Sequence, residues 1–141
     1  MTVLDLGNNV VVNQQFVPAS RTASANATGV DTSGYAYALV IFNLGALDSS
    51  HTVTFGLESS ITVSGTYTAL SKLGTSDDAD TSALLDTSDD STVIVAVDLN
   101  NTQDFVRVAA THSGSNAMIY AVTIVLMPNY TGDATAPDFN V

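Results

Sequence analysis

Apolar residues in this chain recur at every second position. A two-residue period places them all on one side of a pleated strand, whereas an amphipathic helix needs a period near 3.6. In His51–Glu58, Val53, Phe55 and Leu57 alternate with Thr52, Thr54 and Glu58, the pattern of a half-buried antiparallel strand. In Thr92–Asp98, Val93, Val95 and Val97 alternate with Ile94 and Ala96, so this strand is apolar on both faces and is expected at the centre of a sheet or at an interface. Further strands are expected over Val10–Val17, Tyr35–Leu44, Thr66–Leu70, Phe105–Thr111 and Ala117–Met127. Helix formers are scarce, with one glutamate and one lysine in 141 residues, and the one helical candidate is a short turn around Thr81–Leu85.

Turn chemistry punctuates these runs. Asp31–Gly34 and Gly45–Ser50 separate strands, and Ser64-Gly65, Asn100-Asn101 and Ser113–Asn116 are expected to be hairpin-type connections. Roughly seven or eight short strands at this spacing predict an all-β domain, an antiparallel β-sandwich of jelly-roll-like or immunoglobulin-like type. The domain is expected over residues 10–127, with an N-terminal arm at 1–9 and an extended C-terminal tail at 128–141 that holds two of the three prolines. Both ends have a length suited to strand exchange between subunits.

The charge balance limits the partners. Fourteen acidic residues face three basic ones, a net charge of −11, which leaves almost no surface for neutralising phosphate and argues against nucleic acid and anionic membranes. Yet 45% of residues are hydrophobic and mean hydropathy is +0.26, too apolar for a disordered acidic chain. Together these imply an apolar seam beside an acidic surface, hence a lasting interface. Thirteen of the acids are aspartate, which suits turns better than helices, and six of them crowd into Asp77–Asp90, four in two Thr-Ser-Asp-Asp repeats and two between them. That segment lacks the glycine turn and bidentate glutamate of an EF-hand and reads as a solvated loop. Without cysteine there is no disulfide and no thiolate chemistry. The start, Met1 to Gly7, has no basic region before an apolar run, so no signal peptide is predicted.

Nothing in the chain motivates a catalytic site, and no enzymatic activity, metal or cofactor is expected. His51 and His112 each adjoin a turn, no Gly-x-Ser-x-Gly elbow occurs, and Asp31-Thr-Ser-Gly34 departs from the Asp-Thr-Gly of aspartic proteases by an inserted serine. The rare arginines are more informative. Arg107 alternates with Phe105 and Ala109 on a strand and is expected to form a cross-strand or interface ion pair, with Asp104 or Asp98 as partners. Arg21 stands in a Ser/Thr/Ala-rich stretch ten residues before Asp31, where it either clamps an aspartate or reaches a partner. Arg21, Arg107 and the apolar residues Val3, Leu4 and Leu6 of the arm are the candidate contact residues.

The segment Pro18–Tyr35, with its run Arg-Thr-Ala-Ser-Ala-Asn-Ala-Thr-Gly-Val-Asp, resembles a group of small structural proteins of tailed bacteriophages found beside capsid genes. Thr52–Tyr67 is similar to a hydrophobic strand pair of that group, and Gln103–Val125 to its Val-Arg-Val strand and closing Tyr-Ala-Val-Thr strand, so the likeness spans most of residues 18–125. Ala27 stands where the group has glycine, and residues 75–90 have no counterpart. The resemblance implies a virion component without catalytic residues, made in the host cytoplasm: a capsid decoration (cement) protein on the outer capsid surface. Its implied partners are the major capsid protein and further copies of itself, as a trimer ahead of a dimer. Other readings left open are a receptor- or glycan-binding module of a head or tail fibre, and a tail or connector subunit.

Overall fold

The computed structural model describes residues 10–46, 52–70, 92–114 and 116–128. Nine strands are described: β1 (Val11–Arg21), β2 (Ala25–Asn26), β3 (Val30–Asp31), β4 (Tyr35–Leu44), β5 (Thr52–Ser60), β6 (Thr68–Ala69), β7 (Thr92–Asp98), β8 (Phe105–Ser113) and β9 (Met118–Pro128). They form two antiparallel sheets, one in the order β1-β9-β4-β7 and the other β2-β8-β5-β6, with β3 also paired to β8. The arm at 1–9, the candidates Val3, Leu4 and Leu6, the helical candidate near Thr81–Leu85, the acidic stretch 77–90 and the tail beyond Pro128 lie outside the described residues.

The connectivity selects between the two expected sandwiches. β2 and β3 are two halves of one interrupted strand, since both pair with β8. Counting them as one, every step along the chain crosses to the opposite sheet except β5 to β6. Eight strands wound in this way make a jelly roll, whereas an immunoglobulin sandwich keeps several hairpins within a sheet. Two expected hairpins are therefore corrected. Asn100-Asn101 belongs to a 3-10 turn, Leu99–Asn101, that carries the chain from β7 to β8 in the other sheet, capped by Asp98, whose carboxylate accepts from the Asn100 backbone at 2.9 Å. After Ser113 the chain passes from β8 to β9, again between sheets. Ser64-Gly65 does sit in a hairpin, between β5 and β6.

The alternation explains the core. Val40, Phe42, Val53, Phe55, Val108, Val122, Ile124 and Leu126 point between the sheets and are almost wholly buried. An aromatic chain ties the layers together. Phe42 of one sheet lies 5.1 Å from Phe55 of the other, Phe55 meets Tyr120 edge-on at 4.9 Å, and Tyr120 meets Phe16 at 5.5 Å. The two contacts of Tyr120 are the T-shaped geometry that ring quadrupoles favour, and the Phe42–Phe55 pair is tilted at 45°.

β1 runs on to Arg21, well past the expected end at Val17. Pro18 is tolerated because β1 is an edge strand with register shifts on either side of Phe16, where a missing ladder N–H costs little. The short halves β2 and β3 are completed by side chains. Gln15 of β1 reaches across to accept from the Val108 backbone N–H at 2.9 Å, and the Ser24 hydroxyl accepts from His112 N–H at 2.9 Å. Asp31-Thr-Ser-Gly34 forms a turn. The Asp31 carboxylate accepts from the Ser33 backbone at 2.9 Å and from its hydroxyl, which holds that carboxyl below the usual range, and Gly34 takes a positive φ of 83°.

Candidate interaction surface

The outward side chains of the β1-β9-β4-β7 sheet line up in rows across the strands. One row holds Val12, Val125, Leu39 and Ala96, and the next Gln14, Thr123, Ile41 and Ile94. Tyr37 stands between Met127 and Asp98, and Ile119 lies beside Ser20. Val12 is 67% exposed, Ile94 59%, Ile119 57% and Tyr37 53%. Among the described residues of this face, Asp98 at the rim is the one carrying a charge. A contiguous, uncharged, β-branched face of this kind is what sheets bury against another surface.

The rest of the described molecule offers no comparable chemistry. The outer side of the other sheet is mostly small and polar, with Thr54 across from Thr111 and Gly56 from Ala109, followed by the charged pair Glu58 and Arg107. A cleft beside the β5–β6 hairpin is lined by Ser60, Ile61, Thr62, Gly65, Thr66 and Gln103 among others, none of them titratable. No group of three or more His, Asp or Glu side chains among the described residues could hold a metal ion.

The charge is unevenly placed. Ten of the fourteen acids, with Lys72, fall in segments outside the described residues. The sandwich itself carries four carboxylates (Asp31, Glu58, Asp98 and Asp104) and two guanidinium groups.

Both arginines act within the fold. Arg107 pairs across strands as expected, but with Glu58 rather than Asp104 or Asp98, because β8 lies in register with β5 and sets Arg107 directly opposite Glu58. Arg107 Nε donates to Glu58 Oε2 at 2.8 Å and Nη2 lies 2.7 Å from the same oxygen. The guanidinium also stacks on Tyr67, 3.9 Å from the ring centroid. Tyr67 in turn occupies the space over Gly29, where any side chain would strike its hydroxyl. A double-mutant cycle on Glu58 and Arg107 is expected to return a coupling of about 0.5–1 kcal/mol that shrinks with added salt, since both side chains keep contact with water.

Arg21 does not clamp Asp31. Its guanidinium donates to the carbonyls of Val17 at 2.8 Å and of Ala19 and Tyr120, each at 3.1 Å. It also lies over the rings of Tyr120 at 4.8 Å and Phe16 at 5.2 Å. Among the described residues no carboxylate pairs with it, and it locks the end of β1 onto β9.

The Tyr120 hydroxyl is hydrogen-bonded to His112 Nε2 at 3.2 Å. Burial pushes the phenol above its ordinary value of 10.0, partly opposed by the nearby Arg21 charge. The folded state thus holds this proton more tightly than the unfolded chain does. Its contribution to stability is full below the unfolded value and is lost as pH rises through the higher folded value. Urea midpoints are therefore expected to fall in strongly alkaline solution, and Tyr120→Phe to remove part of that fall.

No family model matches the chain, and no curated protein shows significant sequence similarity to it.

Proposed function

We propose that this chain is a structural subunit of a phage particle, a capsid decoration protein that docks on the outer capsid surface and stabilises the shell. The observation that carries the reading is the uncharged apolar face of the β1-β9-β4-β7 sheet, which a lone subunit leaves in water. The likeness of Pro18–Tyr35 and Gln103–Val125 to phage head proteins points the same way, and jelly rolls serve widely as viral capsid domains. A fold alone assigns no function, so the surface and the resemblance bear the weight. The major capsid protein is the partner, and burial of this face across neighbouring capsomers opposes the pressure of packed DNA. Many modest attachments add up on a symmetric lattice.

Imaging the intact particle by cryo-EM tests this. Density for the jelly roll outside the shell at symmetry-related positions is expected, and density confined to the tail overturns the reading. Ile119→Glu and Val12→Glu, both at exposed positions, are expected to lower shell binding by about tenfold or more while leaving the fold intact.

A second reading rests on Tyr37, an exposed aromatic on a topology shared with lectins. Saturable sugar binding by the free protein in calorimetry, abolished by Tyr37→Ala, would favour a glycan-binding module.

A further inference from the structure

The four sheet edges are not treated alike. β1 is interrupted by Pro18 and two register shifts, and β2, β3 and β6 are only two residues long each. These are the devices by which sheets discourage further pairing. β7 has none of them. It is a seven-residue strand in unbroken register with β4, without proline, lysine or arginine. Among the described residues nothing pairs with its outer edge. Its inward side chains Val93 and Val95 stay partly exposed, while Val40 on the neighbouring strand is fully buried, so the core is open along this edge.

We propose that β7 pairs antiparallel with β7 of a second copy, about a two-fold axis at Val95. The sequence Thr-Val-Ile-Val-Ala-Val-Asp is self-complementary in that register. Val95 meets its own copy, Val93 meets Val97, Ile94 meets Ala96, and Thr92 meets Asp98. No carboxylate faces another, which matters for a chain of net charge −11. The antiparallel sense also sets the two Thr92 residues about 20 Å apart, at the strand rise of ~3.3 Å per residue. The six aspartates of residues 77–90 precede Thr92, so the two acidic segments join the paired strands further apart than the screening length, ~8–10 Å. A parallel pair would join them side by side. The pairing makes one eight-stranded sheet and leaves both apolar faces on the same side. Two-fold symmetry makes the unit a dimer, and it requires no virion.

The absence of cysteine gives a clean test. Residues directly opposite on antiparallel strands have Cα atoms about 4.5–5.5 Å apart, within reach of a disulfide. Diagonal neighbours lie at about 7–8 Å, beyond the usual disulfide span. An equimolar mixture of the I94C and A96C chains is expected to form disulfide-linked dimers on mild oxidation, whereas I94C alone and A96C alone are not. Sedimentation velocity of the unaltered chain is expected to show a dimer. A monomer or trimer there, or cross-linking by I94C alone equal to that of the mixture, overturns the proposal. Cryo-EM of the particle reports separately on the virion reading, so the two can fail independently.

Discussion

Phe55→Ala is expected to lower stability by about 3–5 kcal/mol and the melting temperature by about 10–20 °C. Phe55 has no exposed surface and is the middle link of the aromatic chain, touching Phe42 in the opposite sheet and Tyr120 beside it. Removing the ring takes away the apolar burial and opens a cavity that two sheets held by ladder hydrogen bonds cannot collapse to fill. Total stability for a domain of this size is about 5–15 kcal/mol, so the loss is a large share of it. Phe55→Leu keeps most of the volume and is expected to cost about 1–2 kcal/mol. Chemical denaturation measures both. A loss under about 1 kcal/mol for the alanine variant would show that the sheets are not joined through this ring.

Arg21→Ala is expected to cost about 2–3 kcal/mol, a large effect for a residue near the surface. Three backbone carbonyls and two aromatic faces share its guanidinium. Lysine cannot reproduce a planar fork that both donates to several oxygens and stacks, so Arg21→Lys is expected to recover little. None of these partners is a carboxylate, so the loss is expected to depend weakly on salt, unlike the Glu58–Arg107 coupling. Urea denaturation at low and high salt separates the two arginines. An Arg21 effect that vanished in high salt would point to an ion pair instead of the carbonyl cage.

These two residues also show how far the sequence reaches. Phe55 was legible as a core residue because Val53, Phe55 and Leu57 alternate without interruption. The same signal located β4, β7, β8 and β9 to within a few residues. Arg21 was legible only as unusual. Its carbonyl partners are two main-chain groups of β1 itself and one brought to it by β9, about a hundred residues later, and no side-chain pattern marks a carbonyl. For Arg107 the ion pair was foreseen but not Glu58, since register between β5 and β8 is a long-range fact and Asp104 and Asp98 were merely near in sequence. β2 and β3 left no trace, because two-residue strands finished by Gln15 and Ser24 have no period to detect. Turn residues at Asn100-Asn101 and Ser113–Asn116 marked a change of direction but not of sheet. The doubly apolar β7 was expected at a sheet centre or an interface; among the described residues it is a sheet edge, not a centre. The exposed face required the sheet order β1-β9-β4-β7 before scattered apolar residues became one surface.

The strand that holds this sheet together is the last of the nine described in sequence. β9 lies between β1 and β4, so β1 has no partner strand, and the β4-β7 pair cannot be joined to it, until residues 118–128 have been synthesised. Long-range pairing of this kind slows folding, and on the ribosome it postpones completion of this sheet until β9 has been made. Until then the inner sides of β1, β4 and β5 have no lid, and a nascent chain halted before Met118 is a substrate for proteases rather than a smaller domain. Completion of the sandwich is thereby restricted to chains translated past β9, a check that needs no separate factor.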